Sequence, residues 1–130
     1  MSKTIILIDD DSDDLYIMKT AIAAVDSAAL CLSFIYPDEA LRVLLSQELV
    51  FRPNYVFIDI NMPVTTGDKC LRELRANRDF DDVFIAMYST SMPEPVAETL
   101  LNFGANYTFE KPAHMSAYSK IINEILHPAI

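Results

Sequence analysis

The stretch Tyr55-Val56-Phe57-Ile58-Asp59-Ile60-Asn61-Met62-Pro63 decides how the rest of the chain is read. Four apolar residues run without a polar break and stop at an acid. A strand wetted on one face alternates apolar and polar residues, whereas an unbroken run implies cover on both faces, as in a parallel sheet. The quoted run predicts a strand over residues 55–60. Comparable runs lie at residues 4–8, 30–36, 83–88 and 107–109.

Between these runs the apolar spacing is helical. Leu15, Met18, Ile22 and Val25 share one helix face. Leu41, Leu44 and Leu45 do so behind a start at Pro37-Asp38-Glu39. Cys70, Leu71 and Leu74 follow Thr66-Gly67-Asp68. Val96, Leu100 and Phe103 end at Gly104, a C-terminal stop. Tyr118, Ile121, Ile122 and Ile125 close the series. Ser91 and Glu94 have capping-box spacing, but Pro93 and Pro95 compete with it, so the fourth helix is expected to start late.

Strand and helix thus alternate through five repeats, which implies right-handed crossovers and a doubly wound sheet. A length of 130 residues fits one domain, residues 1–130. The predicted class is α/β, a flavodoxin-like five-stranded parallel sheet in the order 2-1-3-4-5 with helices on both faces.

Composition narrows the function. Hydrophobic residues make up 52% of the chain, enough for a core without disulfides or structural metal. Cys31 and Cys70 sit in apolar patterns and read as reduced core residues. The N-terminal apolar run stops after four residues at aspartates and is neither a secretory signal nor a membrane span. The expectation is a soluble, cytoplasmic protein. A net charge of −9 without a basic stripe argues against nucleic acid or an anionic membrane as direct partner.

In open α/β sheets the working site lies at the carboxyl ends of the strands. The first strand ends at Asp9-Asp10-Asp11, the third at Asp59, the fourth at Ser89-Thr90, and the fifth at Glu110-Lys111-Pro112. The second, an edge strand, ends at Tyr36-Pro37 without obvious chemistry. Carboxylates crowded on one rim repel unless a hard cation sits among them. Magnesium suits such oxygen ligands; a lysine and a hydroxyl opposite can hold phosphate oxygens. That combination stabilises a transferring phosphoryl group.

From end to end the chain resembles the response regulator receiver family. The matching pieces are Leu7-Ile8-Asp9-Asp10-Asp11, Phe57-Ile58-Asp59-Ile60-Asn61-Met62-Pro63 with Gly67, Tyr88-Ser89-Thr90, and Gly104-Ala105 followed by Lys111-Pro112. The resemblance implies a switch in two-component signalling or a phosphorelay, with Asp59 as the phospho-acceptor. Asp10 matches the direct Mg2+ ligand and Asp9 its neighbour acting through water; Asn61 would offer its backbone carbonyl. Ser89 matches the hydroxyl that moves toward the phosphoryl group, and Lys111 the lysine that pairs with it. Asp59, Ser89 and Lys111 therefore form the expected reaction centre. Lys111-Pro112 matches a peptide bond that is typically cis.

Asp11 or Ser12 is expected to cap the first helix, with Asp13 and Asp14 serving its positive end rather than a metal. His114 and His127 lack partners at metal-ligand spacing and read as surface residues. The family's switch aromatic, three residues before the lysine, is here Thr108. Tyr107 and Phe109 flank it, but neighbours on a strand point to opposite faces.

The implied partners are a sensor histidine kinase or histidine phosphotransfer protein, and a downstream protein reached by direct contact. Only one helix's length of chain follows Lys111, so no output domain is expected. Two copies could pair through the face of helix four, strand five and helix five. Two other readings compete: a pseudo-receiver that binds partners without phosphorylation, and a haloacid-dehalogenase-type phosphatase. The latter carries a second Asp two positions after the acceptor, where this chain has Asn61, so an enzyme is not expected beyond self-catalysed dephosphorylation. A flavodoxin-like flavin site lacks its phosphate loop after the first strand.

Overall fold

A computed structural model describes residues 3–46 and 52–128. The strands are β1 (Thr4–Ile8), β2 (Leu30–Phe34), β3 (Tyr55–Asp59), β4 (Phe84–Ser89) and β5 (Tyr107–Glu110). The helices are α1 (Ser12–Val25), α2 (Pro37–Leu44), α3 (Gly67–Arg75), α4 (Glu94–Asn102) and α5 (Met115–Leu126), with a short 3-10 turn at Arg78–Phe80. All strand pairs are parallel and the order is β2-β1-β3-β4-β5. This is the expected flavodoxin-like topology.

Each sheet face carries its own apolar layer. On one, Ile6, Ile8, Ile58, Ile85 and Met87 pack under α2, α3 and α4 through Leu41, Leu71, Leu74 and Leu100. On the other, Ile5, Leu7, Phe57, Ala86 and Tyr88 pack under α1 and α5 through Met18, Ile22, Tyr118 and Ile122. The central strands β1, β3 and β4 are therefore covered on both sides, which is why their sequences do not alternate. Cys70 lies in the first layer and Cys31 against the second, on opposite sides of the sheet. Both thiols are free, and burial pushes each up to about 11, so they stay protonated and inert.

Two local expectations are corrected and one is met. Strand β2 stops at Phe34 because Tyr36 already precedes Pro37, the first residue of α2, and takes the cap position. Helix α4 does start late, at Glu94 rather than directly after Ser91: Pro93 is its N-cap and Pro95 falls within its first two positions, where proline removes no helical hydrogen bond. Ser91 does not cap it; its N–H instead donates to Ser89 Oγ at 3.4 Å. Val96 is 39% exposed, so the inward face of α4 rests on Leu100. Finally, Lys111–Pro112 is trans. The trans isomer is favoured by about 0.5–1 kcal/mol in X–Pro bonds, and the Lys111 N–H still bonds Ser89 O at 2.8 Å.

Two devices fix the strand ends. Arg75, on the last turn of α3, donates to the carbonyls of Gly104 (2.8 Å) and Val83 (2.9 Å), to that of Phe80, and to Asn106 Oδ1 (2.8 Å). It thereby ties α3 to the starts of β4 and β5. Gly67 opens α3 directly against β3: its N–H donates to Ile60 O at 2.9 Å. A Cβ there would lie 2.3 Å from Asp59 O and 2.7 Å from Ile60 Cα.

That closeness makes Gly67→Ala a backbone clash that no rotamer can relieve. The expected cost is about 1–3 kcal/mol, the usual range for overpacking. A fall in the urea midpoint at unchanged m-value would report it; an unchanged midpoint would contradict the geometry.

Candidate functional site

The carboxyl ends of β1, β3, β4 and β5 meet on one rim. Asp9 follows β1 and is fully buried, and Asp59 ends β3 at 3% exposure, whereas Asp10 faces solvent. One carboxylate oxygen from each of Asp9, Asp10 and Asp59 lies within 4.8 Å of the others. Two donors hold Asp9: Asp11 N–H on Oδ1 at 2.9 Å and the Tyr88 hydroxyl on Oδ2 at 2.8 Å. Asp59 Oδ1 accepts from the Asn61 N–H at 3.3 Å.

Lys111, just past β5, faces these acids. Its Nζ lies 2.6 Å from Asp14 Oδ2, 3.4 Å from Asp59 Oδ2 and 3.6 Å from Asp9 Oδ2. Burial alone would lower the Lys111 ammonium, but the bond to Asp14 and the charges of Asp9 and Asp59 raise it above the ordinary lysine value. It is a permanent cation. Burial, with the Asp9 charge added, pushes Asp59 up to about 6, and Lys111 only partly offsets this. Asp9 is also raised, chiefly by burial. The rim stores unfavourable charge that one lysine does not cancel.

Ser89 ends β4 and is 1% exposed. Its hydroxyl accepts from Asn61 Nδ2 at 2.8 Å, so the β3–α3 loop and β4 are joined across the site. A cavity of about 200 Å³ opens between Asp10, Asp59, Asn61, Thr90 and Lys111. The β3–α3 loop is itself strained. Val64 is 97% exposed and has φ 63°, a left-handed conformation that a β-branched residue rarely adopts. Buried Thr65 anchors the loop by donating its hydroxyl to Asp38 on α2.

The expected set Asp9, Asp10, Asp59, Asn61, Ser89 and Lys111 is brought together. Thr108 is not part of it. In register with Met87, it lies on the α2–α3–α4 side of the sheet. Phe109 and Tyr107 take the other side, packed with α1 and α5. Phe109 stacks on Tyr88, with centroids 5.4 Å apart and planes at 12°. Neither neighbouring aromatic can therefore fill space on the Thr108 side.

Two residues escaped the sequence reading. Asp14 was expected only to serve the α1 N-terminus, yet it is the nearest partner of Lys111. Its position on the first helical turn, on the side facing the rim, was the available signal. Tyr88 reads as one more apolar strand residue; only its place one residue before Ser89, opposite Asp59 in register, marks it. Asp11 does cap α1, its side chain accepting from the Asp13 N–H, and His114 and His127 are exposed.

The donors converging on the rim are all oxygens, arranged around a gap and in excess of the one opposing cation. This suits a hard divalent ion such as Mg2+. Fold and rim together define a doubly wound domain with an acidic site at the β1–β3 switch point and a single opposing lysine. The family model of the response regulator receiver domain matches residues 5–123, and the chain belongs to that family of signalling domains.

Known proteins agree with this placement. Stress response regulator protein 1 of Clavispora lusitaniae is 26% identical over 107 residues, covering 82% of this chain and 54% of that protein. The chain thus spans about half the length of the curated relative it matches. Among solved structures, the phosphorylated cyanobacterial phytochrome response regulator RcpA superposes with a TM-score of 0.87 at 23% identity, over 100% of this chain and 98% of that one. The Mn2+-bound form of response regulator Rcp1 gives 0.84 at 21% identity, over 98% and 97%. Response regulator RPA3017, from red light signalling in R. palustris, gives 0.84 at 22%, over 96% and 92%. At such identities the likeness establishes the fold.

The charge on the rim has a pH signature. In the folded state Asp59 titrates at about 6, against an ordinary value of 3.8. A raised acid favours folding below the unfolded value and loses that contribution as pH rises through the folded one. In EDTA, Asp59→Asn should therefore melt several degrees above the wild type at pH 7.5, with the gap closing toward pH 4. A gap that stays constant with pH would contradict the rim electrostatics.

Proposed function

We propose that this chain is a phosphorylation-dependent switch of a two-component system or phosphorelay, in which Asp59 takes a phosphoryl group from a phosphohistidine. The observation that carries this reading is the meeting of Asp9, Asp10 and Asp59 within 4.8 Å, opposite Lys111 at 3.4 Å from Asp59. Two structural neighbours lend support: RcpA was captured phosphorylated, and Rcp1 with Mn2+.

In this reading an Asp59 oxygen attacks phosphorus, the P–O bond forms, and the P–N bond to the donor imidazole breaks. With a pKa of about 6, Asp59 is largely ionised at neutral pH and so available as nucleophile. Its burial keeps water from competing for the carboxylate. Lys111 is placed to pair with one phosphoryl oxygen, and the Ser89 hydroxyl with another once it leaves Asn61. Mg2+ held by Asp9, Asp10, Asp59 and the Asn61 backbone carbonyl would supply further positive charge to the transferring group.

The donor is a sensor histidine kinase or histidine phosphotransfer protein. The domain works in the cytoplasm, without nucleic acid or membrane as direct partner. Among the described residues no helix is long and apolar enough to cross a membrane. The signal leaves by protein contact, through the 89–95 loop and α4. A homodimer through α4, β5 and α5 is one form that contact could take. Ser89 begins the switch; Thr108 sits on the correct side of the sheet to sense it but has no ring to swing into vacated space.

Intact mass after incubation with acetyl phosphate tests the reading. Wild type should gain one phosphoryl group with Mg2+ present and none in EDTA, and Asp59→Asn should gain none. An equal gain in Asp59→Asn would overturn the assignment, and no gain in wild type would leave the chain a pseudo-receiver.

A further inference from the structure

Tyr88 is fully buried, yet it carries a polar group into the rim. Its hydroxyl donates to Asp9 Oδ2 at 2.8 Å, while Asp11 N–H occupies Oδ1 at 2.9 Å. The ring has no freedom to turn away. Phe109 stacks on it at 5.4 Å, and Lys111 Nζ stands 5.3 Å from its centroid. Each Asp9 oxygen thus carries a donor, and the one on Oδ2 cannot be displaced without opening the core.

We propose that Tyr88 is a positioning residue that sets the cation preference of the rim. A carboxylate has about four lone-pair sites. Oδ2 faces two donors, the Tyr88 hydroxyl at 2.8 Å and the Lys111 ammonium at 3.6 Å, whereas Oδ1 takes only the Asp11 N–H; a cation is therefore left with a single-oxygen contact on Oδ1 or a water-mediated one. Mg2+ and Mn2+ accept this, since a small octahedral ion keeps several waters and needs few carboxylates. Ca2+ takes six to eight oxygens at longer distances and gains from bidentate carboxylates. The Tyr88 hydroxyl therefore favours the smaller ion. This rests on reading Asp9, Asp10 and Asp59 as a cation site. A purely structural Tyr88, a buried phenol using the nearest acceptor, would change stability but not the ratio between two cations.

Calorimetric titration of the whole chain with MgCl2 and with CaCl2 separates the two roles. Wild type should prefer Mg2+. Tyr88→Phe frees Asp9 Oδ2 for a second contact and should gain about tenfold in Ca2+ affinity, the lower end of the range over which groups around a metal ligand act. Its Mg2+ affinity should change far less, so that the preference shrinks about tenfold. Phe109→Leu keeps the hydroxyl and should keep the preference. An unchanged Mg2+/Ca2+ ratio in folded Tyr88→Phe overturns the proposal while leaving the cation site standing. A wild type that binds neither ion overturns the site and the proposal together. Should Tyr88→Phe fail to fold, the wild type suffices: the Tyr88 hydroxyl proton, protected by burial, should shift in the NMR spectrum on saturation with Mg2+ and shift differently with Ca2+. The same shift with both ions, or none, overturns the proposal.

Discussion

One ammonium holds the rim together. Lys111 Nζ stands 2.6 Å from Asp14, 3.4 Å from Asp59 and 3.6 Å from Asp9. Two like charges about 4 Å apart repel by roughly 4 kcal/mol at the effective dielectric of a partly buried site, so these acids cannot share an edge without it. Lys111 reaches them only because β5 lies beside β4, β4 beside β3, and β3 beside β1. The strand order is thus a condition for the electrostatics. The lysine is also outnumbered, and the surplus negative charge makes the rim ready for a divalent cation.

The same constraint explains why uncharged residues around the site are so particular. Gly67 is where α3 runs into the Asp59 carbonyl, and a single added carbon has no room. Asn61 lends its amide to Ser89, holding the hydroxyl of β4 toward the acids of β1 and β3. Tyr88 carries a hydrogen bond from the α1–α5 side of the sheet into the charged rim, with Phe109 bracing its ring. A carboxylate as buried as Asp9 keeps its place only when its oxygens are satisfied, and these contacts do that.

Most of the fold was legible because the strands β1, β3 and β4 are covered on both faces and therefore read as apolar runs, each ending at a polar residue. The topology rule then places Asp9, Asp10, Asp59, Ser89 and Lys111 on one edge from the sequence alone. What stayed hidden depends on side-chain direction. Asp14 looks like any acid on a first helical turn until its carboxylate is seen to meet Lys111. Tyr88 looks like core until its hydroxyl is followed to Asp9. The Lys111–Pro112 bond is trans, a difference of about 1 kcal/mol that local sequence does not decide.

The most direct test of a phosphoryl-accepting rim is a crystal structure of the protein grown with Mg2+ and beryllofluoride, a phosphoryl mimic. The account predicts the adduct on an Asp59 oxygen, the cation among Asp9, Asp10 and Asp59, Lys111 turned from Asp14 toward the adduct, and Ser89 released from Asn61. A well-ordered structure with Asp59 bare, or with the cation bound away from these three carboxylates, would contradict it.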